Sequence, residues 1–230
     1  MIKKKTTQLV IAIVVLFIFS NNAKAQVWCP PGATWYYGDY APFWYEGYVK
    51  FTYTNDTVIK GITCKKITNY YEHRDVGKQI KKGYRPSYFT YAENGVTYIY
   101  DTIYGNKFDT LFNINAKVGD KWRVPFADPT CKDSTLYLVV NKTGTKLLNG
   151  INLKWICIGR GINWCSDTIV ERLGYRYDVL YYENYTKCHN MPNEGADGKL
   201  RCYSDDSFGS YSTGESQTCN FVTSVKETNP

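Results

Sequence analysis

Histidine and methionine are nearly missing from this sequence, with two of each in 230 residues. With so few imidazoles, a nucleophile would have few bases to activate it. The motifs that would announce an enzyme are missing too. There is no Gly-x-Ser-x-Gly elbow, and Gly159-Arg160-Gly161 lacks the third glycine and following helix of a dinucleotide site. His73-Arg74-Asp75 spells the kinase catalytic triplet, but no phosphate loop or Asp-Phe-Gly accompanies it, and it reads as a polar connection. No Cys-x₂₋₄-Cys pair exists to found a zinc site, and only His189 beside Cys188 offers a place to argue one. Asn193 to Gly198 and Asp205-Asp206 are rich in oxygen donors but lack the alternating acids of a calcium loop. The expectation is no enzyme, no metal and no cofactor.

Long apolar runs are also lacking. The longest, Leu9 to Phe19, follows Lys3-Lys4-Lys5 and precedes Ala23-Lys24-Ala25-Gln26. It is well short of the roughly 20 residues a membrane-spanning helix needs. A positive start, a short apolar run and a small-x-small site make a secretory signal. Cleavage is expected between Ala25 and Gln26, leaving a chain without a membrane anchor. The first cysteine, Cys29, lies too far from that point for a lipoprotein. Four lysines leave with the leader, so a charge of 28 basic against 21 acidic residues becomes 24 against 21. That surface is too weakly basic to track a nucleic-acid backbone, and its densest cluster, Lys78 to Arg85, reads as a solvated loop.

What the sequence does have is cysteine and aromatic residues. All eight cysteines, Cys29, Cys64, Cys131, Cys157, Cys165, Cys188, Cys202 and Cys219, lie beyond the leader. An even number in an exported chain reads as a disulfide framework. Cys157 with Cys165 is the expected local bridge, with two more among the tail cysteines and Cys29. The 22 Tyr, 10 Phe and 6 Trp suit a pleated, half-buried surface. Nowhere does a 3.6-residue apolar period persist.

Period 2 is common instead. Val49, Phe51 and Tyr53 share one face against Lys50 and Thr52. Asn94-Gly95 joins two Tyr-rich runs, and Asn-Gly is the strongest short hairpin signal. Gly105-Asn106, Asn141 to Gly144 and Asn149-Gly150 read as further turns, with more strands over Ile169 to Leu173 and Tyr175 to Tyr182. Val58-Ile59-Lys60-Gly61-Ile62 is echoed by Leu147-Leu148-Asn149-Gly150-Ile151, which suggests two similar hairpins in one sheet system. The fold predicted is all-β: one domain over 26–230, an antiparallel meander in a curved sheet, barrel-like or sandwich. Residues 184–224, rich in Cys, Gly and Asn, should form a disulfide-linked cap.

Eight aromatics crowd into Trp35 to Tyr48. Exposed, they would stack on sugar rings or seat a partner, which makes Trp35, Tyr36, Tyr37, Trp44 and Tyr45 the candidate ligand contacts. Buried, they would close one end of the sheet. The expected function is a structural or interaction unit of the cell envelope. A polysaccharide-binding module and a glycan hydrolase with an unrecognised carboxylate pair are the alternatives, and polysaccharide or an envelope protein the partner.

The succession as a whole resembles a known group. Asn55-Asp56-Thr57-Val58-Ile59-Lys60-Gly61-Ile62, Tyr91-x-Glu93-Asn94-Gly95-Val96, Val118-Gly119-Asp120-x-Trp122 and Leu200-Arg201-Cys202-Tyr203-Ser204-Asp205 are similar to uncharacterised secreted Bacteroidota proteins that end in a type IX secretion sorting domain. The resemblance implies a secreted or cell-surface location. This sequence closes at Lys226-Glu227-Thr228-Asn229-Pro230, so the expectation is either a linker toward a sorting module or a periplasmic protein without one. The resemblance also implies O-glycosylation at Asp-Thr-apolar triplets, here at Thr57, Thr102, Thr110 and Thr168, with Ser134 a looser match.

Overall fold

The computed structural model describes residues 28–41, 44–102, 105–125, 137–159, 161, 163–177, 198–216 and 218–220. Ala25 and Gln26, Cys131, Cys188, Ser134 and Asn193 to Asp197 lie outside them. Strands dominate: β1 (Thr34–Ala41), β2 (Tyr45–Ile59), β3 (Ile62–Asp75), β4 (Ile80–Glu93), β5 (Val96–Asp101), β6 (Lys107–Asn113) and β7 (Lys121–Arg123). There follow β8 (Tyr137–Leu148), β9 (Ile151–Gly159), β10 (Asp167–Val170), β11 (Gly174–Tyr175), β12 (Leu200–Asp205) and β13 (Gly209–Ser212). They form an eight-stranded sheet in the order β13-β12-β1-β2-β3-β4-β5-β6, curved as a half-barrel, and a five-stranded sheet in the order β11-β10-β9-β8-β7. Among the described residues every pairing is antiparallel.

Local chemistry sets most of the hairpins. Asn94 and Gly95 have φ of 52° and 88°, and Asn149 and Gly150 have 47° and 74°. These are the left-handed conformations that a two-residue turn needs for its twist to match the strands. Lys60-Gly61 makes the same turn between β2 and β3. The two echoed hairpins thus have one geometry, but contrary to expectation they lie in different sheets.

Other expectations are corrected by register. Asn141 to Gly144 is no turn, because β8 continues through it to Leu148 with only a register shift between Val140 and Lys142. The shift frees the Asn141 amide, which bonds Trp164 O at 2.6 Å and Gly161 O at 3.0 Å and so holds the loop after β9. His73-Arg74-Asp75 ends strand β3 rather than sitting in a connection, and the basic run from Ile80 onward belongs to β4 rather than to a loop. The described part of the tail also pairs: β12 and β13 extend the large sheet along the side of β1 away from β2, cross-linked by Cys202–Cys219.

One core cluster draws on both sheets, with Trp35, Phe51, Ile67, Ile99 and Phe112 from the large sheet and Leu138, Ile156, Ile158 and Ile169 from the small one. Aromatic polar tips lace the two together. Tyr37 donates its hydroxyl to Tyr175 O at 2.7 Å, Trp35 Nε1 donates to Arg172 O at 3.2 Å, and Tyr175 donates to Leu111 O at 2.5 Å. Each ring buries a large apolar area without leaving its donor unpaired.

Cys157–Cys165 is bridged as expected. The expectation fails at Cys29 and Cys64, which are buried free thiols. The pleat accounts for this. Lys65 is the charge beside Cys29, whereas Cys64, the preceding residue, lies beside Tyr91. Successive residues of a strand face opposite ways, so Cys64 points away from Cys29. Burial pushes both thiols up and keeps them protonated and unreactive.

Candidate recognition surface

The aromatic N-terminal segment is divided by the pleat of β1. Trp35 and Tyr37 face the core and are 0% and 2% exposed. They are core residues rather than ligand contacts, because the small sheet covers them and takes their hydrogen bonds. Tyr36 and Tyr40 face outward, Tyr36 half-buried and Tyr40 exposed. Trp44, at the β1–β2 turn, is 71% exposed. Tyr45 turns inward and stacks on His73 with centroids 4.3 Å apart.

Register then assembles an outer face that sequence reasoning missed. Residues directly opposite in antiparallel strands share a face. Tyr36 faces Lys50, Lys50 faces Tyr70, and Tyr70 faces Tyr84, one row across β1 to β4. The next row is Gly38, Tyr48, Glu72 and Lys82, and the third is Tyr40, Glu46, Arg74 and Ile80. The rings touch in a tilted series, with centroids 5.9 Å apart for Tyr36–Tyr48, 6.2 Å for Tyr48–Tyr70 and 5.3 Å for Tyr70–Tyr84. Lys50 Nζ lies 5.5 Å from the Tyr36 centroid. Glu72 Oε2 accepts from Tyr70 at 2.8 Å and from Tyr48 at 3.3 Å. Burial first, and Glu72 after it, pushes both phenols up, so they remain donors. Tyr84 closes the row with 74% of its surface exposed. Rings of Tyr36, Tyr70 and Tyr84, a carboxylate and ammonium groups thus alternate on one outward-facing patch, with Tyr48 buried among them.

The opposite face of the same strands holds an ionic knot. Asp39, 2% exposed, pairs with Arg85 Nη2 at 3.1 Å, lies 3.8 Å from His73 Nδ1 and accepts a hydrogen bond from Tyr45. Burial raises the Asp39 carboxyl, with Arg85 and then His73 opposing the shift. The guanidinium of Arg85 also lies over Tyr71 at 5.2 Å. Alongside, Arg201 donates to Gly47 O at 2.8 Å. Gly47 is required there, since a Cβ would come within 2.0 Å of Glu72 O. With Asp39 paired to Arg85 and the Tyr45 and His73 rings stacked, this cluster fixes the end of the sheet under the outer rows.

Asp205, one of the oxygen-rich pair that lacks a calcium-loop pattern, serves the structure. Its carboxylate accepts from Tyr203 at 2.5 Å, from the Ser207 and Phe208 amides at 2.7 and 2.8 Å, and pairs with Arg172 at 3.0 Å. Among the described residues no group of three His, Cys, Asp or Glu side chains could hold a metal ion. Of the four threonines in Asp-Thr triplets, Thr102 is exposed at the end of β5, while Thr57, Thr110 and Thr168 are half-buried on strands.

What hid the platform is its non-locality. Tyr70, Tyr84, Glu72 and Lys50 sit on three strands up to 34 residues apart, and only the pairing order brings them together. Alternation of Tyr48, Lys50, Tyr70 and Glu72 with core positions was the available signal. No protein-family model matches the chain, and no curated protein or solved structure is significantly similar to it.

Proposed function

We propose that the protein is a non-catalytic, extracytoplasmic recognition module that binds saccharide chains on the outer face of β1 to β4. The disulfides Cys157–Cys165 and Cys202–Cys219 point to an oxidising compartment outside the cytoplasm. Export by the N-terminal signal and display at the cell surface, as in the secreted Bacteroidota proteins the sequence resembles, extend that reading. The carrying observation is the row Tyr36–Lys50–Tyr70–Tyr84, with Glu72 of the neighbouring row bonded to Tyr70. Sugars present apolar C–H faces to aromatic rings and hydroxyls to carboxylates and ammonium groups, and this row offers both on rigid strands.

Titration of the oxidised protein with soluble polysaccharides, read by calorimetry, tests this. Saturable binding is expected, weakened about tenfold or more in Tyr84→Ala, which has little structure to lose. Binding indifferent to Tyr84 and Tyr36 would remove the assignment.

A protein partner is the second reading. It is favoured by exposed Tyr40, Trp44, Val76 and Ile80, gathered at the β1–β2 and β3–β4 turns, where Val76 N donates to Trp44 O. Contiguous exposed apolar residues mark protein contacts. Retention by an envelope protein that Trp44→Ala abolishes and Tyr84→Ala spares would favour it over the saccharide.

A further inference from the structure

A second concavity lies away from the tyrosine rows, between the two sheets. On one side are the Asn94-Gly95 turn and Asn115 after β6. On the other are the start of β9 and the β10–β11 turn at Glu171 and Arg172. It encloses about 1200 Å³ and is open to solvent. It runs on, through Asn115 and Lys154, into a recess of about 410 Å³ walled by Trp155 and Val118. Sites for compact ligands occupy roughly 300–1,000 Å³, so this space suits an extended one.

Its polar groups are held in place. Lys154 Nζ donates to Asn115 Oδ1 at 2.6 Å across the gap between the sheets. Asn115 Nδ2 reaches back to Asn94 O at 3.4 Å. Glu171 Oε2 accepts from Lys154 N at 3.2 Å. Gly95 makes room for this arrangement, because a Cβ there would stand 2.0 Å from Asn115 Nδ2.

Arg172, in the turn between β10 and β11, is fixed as well. It has a φ of 68°, a left-handed conformation that a residue with a Cβ adopts at a cost and keeps only when its surroundings enforce it. Its guanidinium is pinned by Asp205 and Ser207, and its carbonyl accepts from Trp35.

The charges narrow the ligand. Lys154 and Arg172 face Glu93 and Glu171, but Arg172 is already neutralised by Asp205. With Lys117 of the adjoining recess, the lysines and glutamates balance, and the space does not favour an anion. Amides and carboxylates that bond hydroxyls, continuing to an indole wall, match a neutral polyhydroxylated chain. We propose that the cleft between the sheets is a second binding site, for a neutral oligosaccharide several residues long, independent of the tyrosine platform.

The test is amide chemical-shift mapping of the ¹⁵N-labelled oxidised protein with maltohexaose, cellohexaose, chitohexaose, mannohexaose and, as an anionic control, oligogalacturonate. One of the neutral hexamers is expected to shift the amides of Asn94, Asn115, Lys154 and Glu171 saturably. Lys154→Ala should weaken that binding at least tenfold, and Glu93→Gln, at an exposed position, several-fold. Tyr84→Ala should leave it unchanged. The proposal is overturned if no neutral hexamer shifts those amides, if only oligogalacturonate does, or if the two cleft variants bind as well as the wild type. Shifts confined to Tyr36, Tyr70 and Tyr84 would support the platform while removing the cleft, so the two assignments fail separately.

Discussion

Tyr36 and Tyr37 are neighbours in sequence and belong to different parts of the molecule. Tyr37 is 2% exposed and hydrogen-bonded to the small sheet, whereas Tyr36 stands on the outer face beside Lys50. The same division separates the two faces of β1 to β4 throughout. Inside lie Trp35, Tyr37, Val49 and Phe51, with the Asp39 knot at the end; outside, tyrosines alternate with Lys50, Glu72 and Lys82. An aromatic-rich segment is therefore not a site in itself. The pleat sends about half of such rings to the core and leaves the others available, so their energetic roles must differ.

The largest contrast is expected between Trp35→Ala and Tyr84→Ala. Removing the fully buried indole should cost about 3–5 kcal/mol, and removing the exposed phenol no more than about 0.5 kcal/mol. Denaturant midpoints at unchanged slope measure both. Equal losses would mean that the outer row carries structure rather than recognition.

Acids divide in the same way. Asp167 is buried, and burial pushes its carboxyl from the ordinary 3.8 up to about 7, against the amides of Thr168, Tyr177 and Arg176. At the surface, Lys81 holds Asp75 below its ordinary value. The folded state keeps the Asp167 proton more tightly than the unfolded chain does. Stability should therefore fall as pH rises from about 4 to about 7 and stay low above that, by at most about 4 kcal/mol. Asp167→Asn should flatten this part of the profile and exceed the wild type at pH 8 but not at pH 4. Thermal unfolding across that range decides it.

Reduction comes next in size. Opening Cys202–Cys219, which closes a 17-residue separation, should destabilise the β12–β13 side of the sheet by about 3 kcal/mol. Hydrogen exchange before and after mild reduction should show lost protection in β12 and β13 ahead of β3. Smaller again is Asp39→Ala, which strips Arg85 of its counter-charge. Arg85 reaches solvent, so about 2 kcal/mol is expected rather than the full cost of breaking a buried pair.

Much of the fold was legible because it is local. Asn94-Gly95 and Asn149-Gly150 announce hairpins through backbone preference alone, and the alternation of Val49 and Phe51 with Lys50 assigns faces before any pairing is known. Legibility ended where the same residue types serve two purposes. Asn141 to Gly144 has turn composition, yet it forms a bulge whose asparagine ties down a loop. A bulge becomes visible only against a partner strand. The pairing of β12 with β1 joins segments some 160 residues apart, and no local pattern encodes it. Cysteine parity suggested four bridges, but it carries no information about which way a strand points Cys64. The platform lay one step further away, because it needs the registers of four strands at once.

The most direct test of the central claim is the affinity for a bound polysaccharide in Tyr36→Ala/Tyr84→Ala, set beside its unfolding midpoint. The outer-face account predicts a loss of affinity of tenfold or more with the midpoint essentially unchanged. Undiminished affinity at an unchanged midpoint would contradict it and move recognition off the tyrosine rows.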